Sequence, residues 1–349
     1  MTGALRIALL VSLSAAVVPA WAGCSGAPLP ADFARAQSLE STDPDRARML
    51  YDALDVRCKS ERLAHDDCAL TAVRLAELHQ SSRRWHEAEE AWLRAAATTT
   101  RPATAARALQ RAADLAHVEL HDDATADALA WRVVEKHPEE LAADDALKLA
   151  IRIDEPRDWQ ALAARLAALY PRVVRFDVGD NVLYERGLLL ARHERAAEAI
   201  AIFDTLADDY AHSGLRDDGL WRAAELLRAA GDFEGALKRL RRILSTRKDA
   251  IITGSYNYLQ LDDAQLLIGR IYLDDLHDPA RAAEAFQLLV DDYPESVLRD
   301  DGLFELARAR KEQRNLPAAC KALARLCKQF PDGNRVRAAR ALMQELACT

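Results

Sequence analysis

The chain has 349 residues, of which only 13 are Gly and 12 are Pro, and it is dominated by Ala, Leu, Arg, Glu and Asp. Gly and Pro together supply roughly 12% of an average protein; their scarcity here, and the near-absence of Val-, Ile-, Thr- and aromatic-rich runs, exclude a β-rich fold and predict helix throughout. The net charge of −8 argues against nucleic acid or an anionic lipid surface as the main ligand.

The chain opens with Arg6 and an apolar run, IALLVSLSAAVVPA at residues 7 to 20, too short to span a bilayer. The small residues of WAGCSGAPLP follow, so residues 1–23 read as an export signal. Ala20-Trp21-Ala22 suits cleavage to a soluble protein beginning at Gly23. Ala22-Gly23-Cys24 resembles instead the end of a bacterial lipoprotein box, with Cys24 the lipidated first residue of a domain over 24–349. The Gly-Cys pair at this depth favours the anchored form.

Helical pairs follow one another from there. A first pair falls over 30–59 and a second over 72–97, AVRLAELH with WHEAEEAWLRAA; further pairs cover 102–137 and 141–170. From residue 180 to 331 the pattern sharpens. The fifth pair offers Gly187, then Ala199, Phe203 and Leu206. The sixth has Leu220, Ala223 and Ala224, then Ala236, Leu240 and Ile243, with Gly231-Asp232 at its turn. The seventh has Ile268, Gly269 and Tyr272, then Ala282, Phe286 and Leu289. The eighth has Leu303, Leu306 and Ala307, then Ala319, Leu323 and Leu326. A capping helix over 335–347 closes the array. The pairs end alike, in DDYAHS, DDYPES, KHPEE, LYPRV and QFPDG, where proline is expected to stop the second helix.

This spacing of small and aromatic residues resembles the tetratricopeptide repeat, a pair of antiparallel helices in about 34 residues. The resemblance implies an all-α, right-handed superhelical solenoid. Small residues let the two helices approach, and the aromatic wedges between neighbouring pairs.

LRDDGLW at 215 to 221 returns as LRDDGLF at 298 to 304. Asp217-Asp218 and Asp300-Asp301 fall in the opening turn of a first helix, where acids meet free amides and the positive dipole end. Asp144-Asp145 and Asp262-Asp263 match them. The spacing of the twin segments exceeds two repeats by an insertion in TRKDAIITGSYNYLQ, residues 246 to 260, either a projecting binding element or a disordered spacer.

No phosphate loop, GxGxxG or GxSxG occurs, and no carboxylate stands in an evidently apolar context. His86-Glu87 begins like a zinc-protease helix but continues to Glu90, and His117 and His121 share a face without a third ligand. The expectation is no enzyme, no metal and no cofactor.

Export permits disulfides. Cys58 and Cys68 flank a turn, and the closing helix folds back to set Cys348 opposite Cys320, which leaves Cys327 unpaired; buried cysteines acting as small apolar residues are the alternative.

In such an array the first helices line the concave side. Trp221 and Phe304 are equivalent there, with Tyr184 their counterpart, and Arg228, Arg270, Arg308 and Lys311 follow about a turn later. Aromatics beside cations suit a groove for a protein or peptide segment bearing apolar and acidic side chains, while simple packing between pairs is the alternative. DDYPESVLRDDGLF at 291 to 304 resembles the periplasmic repeats of the Tol–Pal coordinator and the outer-membrane β-barrel assembly lipoprotein. That resemblance implies a protein-binding scaffold, exported to the periplasm and tethered to the outer membrane by lipid. A soluble periplasmic peptide-binding adaptor and an accessory domain of a cell-wall enzyme are the rival readings.

Overall fold

The computed structural model describes residues 31–60, 63–245 and 261–348. The signal over 1–23, Cys24 and the insertion at 246–260 lie outside them. Among the described residues are sixteen α-helices and no strand. Helices α1 (Ala31–Leu39) and α2 (Pro44–Ser60) form the first pair, α3 (His65–Ser81) and α4 (Trp85–Thr98) the second, α5 (Pro102–Val118) and α6 (Asp123–Lys136) the third. The fourth is α7 (Ala142–Val173), folded on itself; the fifth is α8 (Val178–Arg192) with α9 (Ala196–Asp209) and the sixth α10 (Leu215–Ala229) with α11 (Phe233–Leu244). The seventh joins α12 (Leu261–Arg270), prolonged by a π-helical turn Ile271–Asp275, to α13 (Pro279–Asp292). Helices α14 (Arg299–Glu312) and α15 (Leu316–Gln329) make the eighth, and α16 (Val336–Glu345) closes the stack.

Each helix packs chiefly on its neighbours in sequence, and first helices also touch across pairs, α5 on α7 and α8 on α10. The result is a solenoid of antiparallel helix pairs whose core is extended by each added pair rather than gathered at one centre.

Residue size sets how the helices approach. At Gly187 an added Cβ would come 2.5 Å from the Phe203 ring, and Gly269 meets Phe286 in the same way. Ala224 and Leu240, then Ala307 and Leu323, hold the matching positions in the other two pairs, all buried. A large ring thus accompanies the smallest partner, and a leucine accompanies alanine. Between pairs the contact recurs one step on: Gly219 faces Leu206, and Gly302 faces Leu289, each with room for a Cβ only at 2.9 Å. The glycine of LRDDGL is therefore the place where a first helix rests on the preceding pair.

Turns inside the pairs follow one recipe. A residue with positive φ precedes the second helix at Arg83, His121, Glu194, Gly231, His277 and Arg314. In four of these turns an acid or amide then caps the helix: Asp122 accepts from Thr125 N, Asp232 from Gly235 N, Asp278 from Arg281 N and Asn315 from Ala318 N.

The fourth pair departs from expectation. It has no loop; α7 is kinked at Asp158 (φ −158°, ψ 90°) into 142–157 and 159–173. The Asp158 carboxylate accepts from the amides of Gln160 and Ala161 at 3.0 and 2.9 Å, capping the second half. Pro171 does not stop that half, which runs to Val173. Only Arg172 and Val173 of the helix follow the proline.

Candidate protein-binding face

Polar contacts between pairs keep the repeat length. Ser213 Oγ donates to Asp180 at 2.5 Å, and Ser296 Oγ donates to Asp262 at 2.5 Å. The same two oxygens accept from Leu215 N and Leu298 N. Thr99 and Thr100 donate to Asp66 at 2.9 and 3.0 Å in the same manner. In these three opening turns an acid thus ties a junction hydroxyl about one repeat later. At the last junction Gly333 replaces the serine, leaving space that the Asp300 carboxylate occupies; a Cβ there would sit 2.8 Å from it. The regular acids do stand in first turns. Their role is larger than favouring a helix dipole.

The first helices of the C-terminal pairs carry a second ladder. Arg228 Nε donates to Asp275 at 2.6 Å, and Arg308 donates to Asp274 at 3.0 Å and Glu305 at 2.6 Å. Arg270 lies 3.6 Å from Glu305, Lys311 donates to Glu345 at 2.6 Å, and Arg335 donates to Asp301 at 2.6 Å. Burial opposes the charge on Arg308, but the hydrogen bond and charge of Glu305, with help from Asp274, outweigh it and raise its pKa. Arg228, Arg270, Arg308 and Lys311 therefore lie on one face, and each is already paired across the stack. The cations that sequence reasoning placed beside a groove thus each have an acidic partner in a neighbouring element.

Asp274 and Asp275, adjacent in the π-helical turn, pair with Arg308 and Arg228 respectively. A wider turn is a common marker of functional positions, and nothing in the local sequence announces it.

The three aromatics behave differently. Tyr184 leans on Phe203 with ring centroids 6.0 Å apart, and its hydroxyl supports the charge on Arg222 through a hydrogen bond. Phe304 lies beneath the Arg335 guanidinium at 5.6 Å. Trp221 is half-buried and forms one wall of a cleft of about 390 Å³ between α10 and α12, with Glu225, Arg228, Ala229, Leu267 and Asp275. One indole face, an aliphatic wall and a fixed ion pair suit an apolar side chain flanked by polar main chain. Of the residues expected in a groove, Trp221 and Arg228 meet around this cavity.

Cys58 and Cys68 are joined with Cα atoms 5.7 Å apart, and Cys320 and Cys348 with Cα atoms 5.5 Å apart; Cys327 is a free, half-buried thiol. His117 Nδ1 is 2.7 Å from Asp123, which occupies that histidine locally. One expectation needs correcting. Carboxylates in apolar surroundings do occur: burial pushes Asp114, Glu185 and Asp217 above the usual carboxylate range. Alanine-rich helices hide this in sequence, because the desolvating atoms come from neighbouring pairs.

The arrangement defines a helical-repeat protein with a lined cleft. The family model of the tetratricopeptide repeat matches residues 218–249, 263–296 and 301–333, so these three stretches carry the repeat. No curated protein matches the chain. Among solved structures, the C-terminal part of a repeat protein from Cytophaga hutchinsonii is 12% identical with a TM-score of 0.46, covering 78% of this chain and 99% of that one. BtubC from P. vanneervenii is 13% identical with a TM-score of 0.43, covering 65% and 92%. PilW, a type IV pilus biogenesis factor, is 16% identical with a TM-score of 0.39, covering 67% and 97%. Similarities this loose carry no argument about function.

Proposed function

We propose that this chain is a non-enzymatic scaffold of the bacterial envelope, exported and held at the outer membrane through a lipid on Cys24, which binds a protein partner along its first-helix face. The observation that carries the binding role is the Trp221 cleft. A large indole stands half-open beside a buried-edge ion pair, at the boundary of two tetratricopeptide repeats, a module that serves protein–protein interaction. The export signal and the Gly23-Cys24 pair support the location, and the likeness of residues 291 to 304 to envelope-assembly repeats supports the setting. No helix among the described residues is long and apolar enough to cross a membrane.

The test is photo-crosslinking in the native cell from p-benzoylphenylalanine placed at Trp221, with Glu284 on the second-helix face as control. A discrete envelope protein captured from position 221 and not from 284 supports the reading. Equal capture from both positions, or none, contradicts it.

A further inference from the structure

A second cleft, of about 370 Å³, lies between α5 and α7, far along the stack from Trp221. Its lining includes Gln110, Asp114, Asp145, Glu140, Arg107 and Arg111. Gln110 is only 7% exposed, yet its Oε1 has no hydrogen-bond partner. The amide cannot turn to relieve this, because its nitrogen donates to Asp114 Oδ1 at 3.0 Å. A buried acceptor left without a donor is destabilising, so natural structures rarely keep one without a use.

The charges around it point the same way. Burial, and the nearby charge of Asp145, push Asp114 upward, while Gln110, Arg111 and Arg152 oppose them. Arg107, Arg111 and Asp145 are exposed at the rim, and Glu140 is half-buried there. Among the described residues none of the five charged lining groups is in an ion pair, whereas Arg228, Arg270, Arg308 and Lys311 of the C-terminal pairs each have one. The floor thus presents an unsatisfied amide oxygen beside an under-solvated carboxylate, with a second carboxylate above. Two acceptors in a negative field call for an N–H donor that is itself charged.

We propose that this cleft receives a lysine or arginine side chain of the protein partner, its N–H groups reaching Gln110 Oε1 and Asp114 with Asp145 completing the charge. This deepens the scaffold reading and rests on it, but its test is separate. The full chain, labelled with ¹⁵N, is titrated with acetyl-Gly-Arg-Gly-amide and its lysine analogue, following the side-chain amide of Gln110, assigned by its loss in Gln110→Leu. Glutamate and leucine analogues and putrescine serve as comparisons. A saturable shift is expected with the two cationic peptides alone, and Asp145→Asn, at an exposed position, should weaken it about three-fold. Absence of a saturable shift, an equal response to the glutamate or leucine peptide, or a response to putrescine alone overturns the proposal. Capture from position 221 does not depend on this titration, so either result stands or falls by itself.

Discussion

Gly187 and Phe203 are a matched pair: the ring fills the space where any larger residue on α8 would place its Cβ, at 2.5 Å. Alanine at 187 gains helix propensity of about 1 kcal/mol, but it must push back a buried ring that neighbours hold on all sides. Overpacking of that kind costs about 1–3 kcal/mol. Gly187→Ala should therefore lower stability, and Phe203→Leu in the same chain should restore much of it, reproducing the Ala224 and Leu240 arrangement of the next pair. Denaturant unfolding of the two single variants and the double variant checks this; additive losses would show that the two sites are not coupled.

Arg308 joins Asp274 to Glu305, and Glu305 is among the most buried acids of the chain. Removing the guanidinium leaves that carboxylate without its strongest partner. Arg308→Ala is expected to cost about 1–3 kcal/mol, read as a lower melting temperature, with Arg308→Lys recovering part of it. A variant that melts like the parent would mean that the cation faces solvent or a partner rather than holding the stack.

Much of this was legible in the sequence and some was not. The small and aromatic positions of pairs five to eight repeat with a period that one helical face repeats, so the pairs, their turns and their order follow from sequence. The ion-pair ladder does not. Arg308 and Asp274, or Arg335 and Asp301, are a whole repeat apart, and no local pattern says which of many surface charges will meet. The kink at Asp158 was hidden for a different reason, since a self-capping aspartate joins the two halves of α7 without any Gly-rich loop. Trp221 was readable as special only because its heptapeptide recurs with Phe304.

Glu185 gives a pH-dependent prediction. Burial raises its pKa above 4.5, partly offset by Arg192 and Lys148. The folded chain then holds that proton more tightly than the unfolded chain, so stability falls as pH climbs from about 4.5 through the shifted value, and the penalty is complete above it. Glu185→Gln should raise the melting temperature at neutral pH, and the gain should vanish below that range. A gain that persists unchanged in acid would point to a cause other than ionisation.

The two cross-links stand at the two ends of the described stack, where a solenoid frays first. Their closed loops, of sequence separation 10 and 28, should stabilise by about 3–4 kcal/mol each in the chain-entropy picture. Non-reducing peptide mapping of the protein is expected to recover Cys58 with Cys68 and Cys320 with Cys348, and a reductant should lower the melting temperature. Recovery of all four as thiols contradicts this.

The central claim, that the first-helix face at the sixth and seventh pairs binds a protein, is tested most directly by one variant. Trp221→Ala trims a half-buried wall of the cleft while leaving the Arg228–Asp275 ion pair in place. Partner capture in the native cell is measured beside the thermal melt of the purified chain. The account predicts that capture is lost while the melting temperature stays within about 1 °C of the parent, the scale of a sub-kcal/mol change in a chain of this size. Capture that persists in a variant melting several degrees lower would make Trp221 a packing residue and contradict the account.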